Sequence, residues 1–106
     1  MSRPARFTTT ARSEIREAAA WIRADSPKAS RAFAEAIADL ARLIGEHPMV
    51  GVVRPELARA PYRFAVLRGF SYVVAYDPTP PRPVIVRVVH GARDLPVALH
   101  ELRGAT

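Results

Sequence analysis

A chain of 106 residues with 49% apolar side chains is sized for one domain around one core, and wholesale disorder is not expected. Cysteine is absent, which removes disulfides, thiolate catalysis and cysteine-based zinc sites together. The formal charge is +6, and Lys28 is the only lysine among 16 basic residues. Arginine's planar fork suits carboxylates and phosphates, so acidic protein segments or nucleic acid are the natural partners. A codon composition favouring Arg, Ala, Pro and Val explains the same total, so position is better evidence than count. No apolar run approaches the ~20 residues of a membrane span, and Met1-Ser2-Arg3-Pro4 lacks a signal peptide's apolar core. A cytoplasmic protein without membrane contact is expected.

In chain order, Arg3 to Thr8 reads as a short edge strand. Thr9 or Thr10 can cap a helix, with Glu14 expected in its first turn, where the helix dipole favours negative charge. Ile15, Ala18, Ala19 and Ile22 then recur at helical spacing to about Asp25. Ser26-Pro27 is a strong restart signal: a serine cap and a proline at the first helical position. In the second helix Phe33, Ile37, Leu40 and Ile44 form one stripe, and Gly45 to Pro48 is expected to end it. The short connection makes the two helices an antiparallel hairpin.

Three strands follow a loop through Gly51, Arg54 and Pro55. They are Tyr62 to Leu67, Ser71 to Tyr76 after an Arg68-Gly69 turn, and Val84 to Val89 after the Pro78–Pro83 loop. Short connections favour antiparallel pairing. Leu95 to Arg103 is expected to form a short C-terminal helix. The order β-α-α-β-β-β gives an α+β fold, a helical hairpin on one face of a small, mostly antiparallel sheet. Strict alternation puts Arg63 and Arg87 on the other, partly open face, with His90 and Arg93 at the exit of the last strand.

Those four residues are the candidates for chemistry. Cross-strand pairing of Arg63 and Arg87 with acidic side chains is the plain alternative to a basic concavity. RNA cleavage through its own 2′-hydroxyl requires a base, an acid and cationic stabilisation of the phosphorane. The arginines can supply the cation, and His90 a proton transfer near neutral pH. A second proton-transfer group is missing, because no tyrosine follows Tyr76 and only Asp94 and Glu101 offer carboxylates beyond the last strand. No P-loop, dinucleotide fingerprint or nucleophile elbow is present. His47, His90 and His100 lack metal-ligand spacing, so neither metal nor cofactor is expected. Trp21, beside the apolar stripe of the first helix, suits either hairpin packing or a partner contact.

Several segments together resemble the ParE branch of the ParE/RelE superfamily of bacterial toxins. They are Glu14-Ile15-Arg16-Glu17-Ala18-Ala19-Ala20-Trp21-Ile22, Ala32-Phe33 with Ile37 and Leu40, and His47-Pro48…Gly51…Arg54-Pro55-Glu56-Leu57. Next come Tyr62-Arg63, Tyr72-Val73-Val74-Ala75-Tyr76 and Arg87-Val88-Val89-His90-Gly91-Ala92-Arg93-Asp94. The resemblance covers nearly the whole chain, residues 1–106 reading as one toxin domain of a plasmid-stabilisation type.

The resemblance implies the toxin of a type II toxin–antitoxin pair, in a hetero-oligomer with a ParD-like antitoxin. Operator DNA is reached only through that antitoxin. ParE members poison DNA gyrase, whereas RelE members cut mRNA in the ribosomal A site. The closing His90-Gly91-Ala92-Arg93-Asp94, without a late tyrosine, leans to ParE. On that reading Arg54, Arg63, Arg87, His90 and Arg93 meet the target, no residue is catalytic, and Trp21, Arg63 and Arg87 meet the antitoxin. Two other readings stay open: a metal-independent mRNA endonuclease using Arg63, Arg87 and His90, and a non-toxic corepressor acting within the antitoxin complex. The antitoxin is expected to fold on binding, with an amphipathic segment on the hairpin and an extended piece against the sheet.

Overall fold

The computed structural model describes residues 3–91, so Arg93, Asp94 and the expected C-terminal helix lie outside the described residues. Strand β1 (Arg6–Phe7) is followed by helices α1 (Thr9–Asp25) and α2 (Pro27–Glu46). Strands β2 (Arg63–Leu67), β3 (Tyr72–Asp77) and β4 (Val84–His90) complete the expected order. The sheet runs β1-β4-β3-β2. β1 pairs parallel with β4, and the other pairs are antiparallel. Among the described residues no helix is long and apolar enough to cross a membrane.

Strand β1 passes into α1 through one residue. Thr8 is still extended, its N–H donates to Ile85 O, and its Oγ1 accepts the Ala11 N–H at 3.1 Å. Thr8 is therefore the cap, one residue ahead of the expected threonines. Glu14 consequently falls in the second turn and serves the sheet instead of the helix dipole.

Ser26 closes α1 and opens α2. Its N–H bonds to Ile22 O at 2.8 Å, its Oγ takes the Ala29 N–H, and Pro27 begins the helix as expected. Ser30 Oγ donates to Ala19 O at 2.8 Å and ties the hairpin together. From the predicted stripe, Phe33, Ile37 and Ile44 are buried and Leu40 packs partly against them. Each fully buried side chain contributes about 1.5–3 kcal/mol. The helix runs past Gly45 to Glu46, because His47 N–H still reaches Leu43 O. Gly45 answers a different demand: a Cβ there would lie 1.9 Å from the Arg3 carbonyl oxygen.

The main core lies between the hairpin and one sheet face, where Leu67, Tyr72, Val74, Tyr76, Ile85 and Val88 meet the helices. The other face carries a smaller cluster of Ala58, Phe64 and Ala75, joined by Leu57, Tyr62, Val73 and Val86. That face is thus partly covered by the segment preceding β2.

Two strands present their side chains differently from the sequence expectation. Arg63 stands directly opposite Tyr76, which faces the helices, so Arg63 shares the helical side and not the open one. In β4 the register jumps, Tyr76 facing Ile85 and Ala75 facing Arg87, which leaves Val86 as an extra residue. This bulge lets both Ile85 and Val88 face the helices, although three residues apart.

Candidate functional site

Arg87 lies opposite Ala75, on the side away from the helices as expected, but it is not bare. Its guanidinium reaches Glu14 of α1, with Nη2 at 2.8 Å from Oε2 and Nε at 3.1 and 3.2 Å from the two oxygens. The side chains keep only 16% and 19% of their exposure. Glu14 Oε1 also accepts the Val88 N–H at 2.9 Å. β1 is two residues long, so among the described residues β4 beyond Ile85 has no strand neighbour on that side. Glu14 and the Thr8 hydroxyl, which donates to Val86 O, stand in for one.

Arg63 is held from the opposite end of the sheet. Its Nη1 donates to Gly51 O at 2.7 Å and Met49 O at 3.3 Å. The neighbouring Tyr76 hydroxyl donates to Pro48 O at 2.6 Å and accepts the Gly51 N–H at 2.8 Å. Burial pushes this hydroxyl above its ordinary range, against the opposing pull of the Gly51 N–H and the Arg63 charge. Together they pin the loop that leaves α2. A Cβ on Gly51 would sit 2.7 Å from the Tyr76 ring, so glycine is required there.

His90 lies opposite Tyr72 on the helical side, the rings meeting edge to face at 5.4 Å. Arg63 and His90 therefore face β3 at Tyr76 and Tyr72, four residues apart, a span of roughly 13 Å. Arg87 is turned to the sheet edge between them. The three do not converge on one concavity among the described residues. Arg54 is exposed and pairs with Glu56 at 2.6 Å. Arg93 lies outside the described residues. Trp21 is 72% exposed, which resolves its two readings toward the surface.

Sequence reasoning missed a groove of about 320 Å³ between β1, α1 and α2. Phe7, Ile15 and Ile37 give it apolar walls, and Ala34 and Ala38 keep it open. Arg12 and Arg16, both exposed, also line it, and the Arg12 guanidinium lies 5.7 Å from the Phe7 ring centre. The signal was available: Arg12 and Arg16 are one turn apart and flank Ile15, while Ala34 and Ala38 repeat at the same spacing.

Residues 5–95 match the family described as the ParE toxin of the type II toxin–antitoxin system parDE. The chain belongs to that family. It is therefore a toxin of a type II toxin–antitoxin system, a class whose members work with an antitoxin partner. No curated protein matches the chain.

Proposed function

We propose that this ParE-family protein inhibits DNA gyrase and is neutralised by a ParD-like antitoxin whose amphipathic segment fills the α1–α2 groove. The family match supports the first half. The groove supports the second: apolar walls and two exposed arginines suit a helix that carries bulky apolar side chains beside carboxylates. Trp21, exposed on α1, is a separate candidate antitoxin contact, roughly 120–180° around the helix from Arg12, Ile15 and Arg16. The +6 chain attracts an acidic partner over a longer range, which raises the rate of encounter.

Gyrase inhibition requires no catalytic residue here, and the separation of Arg63, Arg87 and His90 fits that reading better than mRNA cleavage. Arg54, Arg63, Arg87, His90 and Arg93 remain the candidate target contacts, with Arg63 and Arg87 also facing the antitoxin. Arg87 is held by Glu14, so either role requires it to exchange that partner, whereas Arg63 is bound through Nη1.

Expression of the chain without antitoxin tests the proposal. Filamented cells, a DNA-damage response and trapped gyrase–DNA cleavage complexes are expected. Codon-positioned mRNA cuts abolished by His90→Ala would favour the nuclease, and normal growth with soluble protein the corepressor. Replacing Arg12 and Arg16 together by Glu should weaken antitoxin binding by more than about tenfold while leaving gyrase inhibition intact.

A further inference from the structure

Exposed apolar side chains are not spread evenly over this protein. Of the seven large ones among the described residues, five are Met49, Val50, Val52, Val53 and Val66. Four of these lie in the segment that leaves α2. Val52 bridges Phe64 through both backbone hydrogen bonds, at 2.8 and 2.9 Å, and Val66 stands two residues beyond Phe64 on β2. Val52 and Val66 are therefore diagonal neighbours, roughly 7–8 Å apart. An apolar cluster of this kind left in water marks a contact surface.

The cluster is also held still. Tyr76 Oη and Arg63 Nη1 fix Pro48, Met49 and Gly51, Val50 N–H turns back to His47 O at 2.9 Å, and Val52 is tied to β2. A loop fixed before binding loses little conformational entropy when a partner covers it. The surrounding charge has one sign. Between residues 49 and 68 there are four arginines and one carboxylate, Glu56, which pairs with Arg54. Arg59 and Arg68 are exposed and make no ion pair among the described residues. Arg63 is held by carbonyl oxygens alone, so it is oriented without being neutralised. Arg87, by contrast, already has its carboxylate in Glu14.

We infer that Met49, Val50, Val52, Val53 and Val66, rimmed by Arg59, Arg63 and Arg68, form the face that grips the toxin's target, a folded protein surface whose apolar side chains are surrounded by carboxylates. That role presupposes the proposed toxin activity and assigns it to side chains that no motif marks. The partner's apolar side chains pack on the valines and the methionine, and its carboxylates meet the arginines, giving an apolar centre with a polar rim. A second copy of this chain is a poor occupant, since it brings the same arginines to the same place. The α1–α2 groove proposed for the antitoxin lies by β1, at the opposite edge of the sheet from β2, so the two partners meet different side chains.

The experiment pairs growth after induced expression of the full chain with a titration against purified DNA gyrase and plasmid, read as trapped cleaved DNA. Met49→Glu with Val52→Glu should relieve growth arrest and raise the half-maximal concentration by at least about thirtyfold. Met49→Lys with Val52→Lys, which adds to the charge match, should raise it less, and equal losses from the two pairs refute the acidic rim. The face is refuted if the glutamate pair arrests growth as the wild type does, or if the wild type leaves growth untouched. Arrest without trapped gyrase sinks the gyrase reading alone, and relief of that arrest by the glutamate pair still decides the face. Should the glutamate pair lower the urea midpoint, Arg59→Glu with Arg68→Glu puts the same question to the rim, and unrelieved arrest refutes it. Wild-type self-association that the glutamate pair abolishes also refutes the face, by making a second copy the occupant.

Discussion

On the β4 side of the sheet, a two-residue strand, a threonine hydroxyl and a carboxylate each take up part of the free backbone. On the β2 side one loop residue does so, and the next outward-facing residue is left with an exposed valine. The β4 edge is closed by groups that are expensive to bury, and so it tolerates little. Among the described residues the β2 edge is met at one position only, so the exposed Val66 side chain can vary at little cost to the fold.

The largest break in that contrast should come at Glu14. Glu14→Ala removes the carboxylate from both a largely buried guanidinium and the Val88 N–H. Losing one partner of such a pair should cost about 2–4 kcal/mol, read as a lower urea midpoint. Arg54→Ala, which removes an exposed pair, should change stability by less than about 1 kcal/mol. Equal effects from the two would mean that Glu14 does not close the edge. Glu14→Gln should fall between them, because the amide oxygen can still accept from Val88 while the charge is lost.

Next in size is the Tyr76 hydroxyl. Tyr76→Phe leaves the Gly51 N–H and the Pro48 carbonyl without it, at about 1–3 kcal/mol. The same hydroxyl gives a smaller, pH-dependent increment. Its pKa in the folded protein is raised above the ordinary 10.0, so the protonated form is favoured by folding. Its contribution is complete below pH 10.0 and is lost as pH rises through the raised value. Stability measured from pH 8 to 12 should fall more steeply for the wild type than for Tyr76→Phe.

Local rules made the helical hairpin readable: a serine–proline restart, and apolar residues at i, i+4, i+7 and i+11. The strand boundaries were also close, since β-branched runs and a Gly69 turn at φ 83° announce themselves. Side-chain phase was harder. A bulge at Val86 adds one residue to β4, and nothing in Val84-Ile85-Val86-Arg87 tells which valine is extra. In β2, alternation gave two faces but not their assignment, because Phe64 has a core of its own on the far side. Glu14 was read for its helix, although a lone arginine in an apolar strand already asked for a carboxylate somewhere. Arg12 and Arg16 became a feature only once β1 brought Phe7 between them and α2.

The smallest expected effect is at Val66, and it sharpens the comparison most. Val66→Lys should alter stability by no more than about 0.5 kcal/mol, because its side chain is 69% exposed. The matching change at Val88, whose backbone faces the other edge but whose side chain is 2% exposed, should unfold the protein. Both positions sit on the outward-facing backbone register of their strands. Only at Val66 does the side chain also point away from the helices, so a lysine there keeps its charge in water. A substantial loss of stability in Val66→Lys would show that the valine packs against the Val52 segment and closes the edge by itself. An unchanged denaturation midpoint would leave the apolar character of this edge unexplained by folding, and selection for contact with another chain would then account for it.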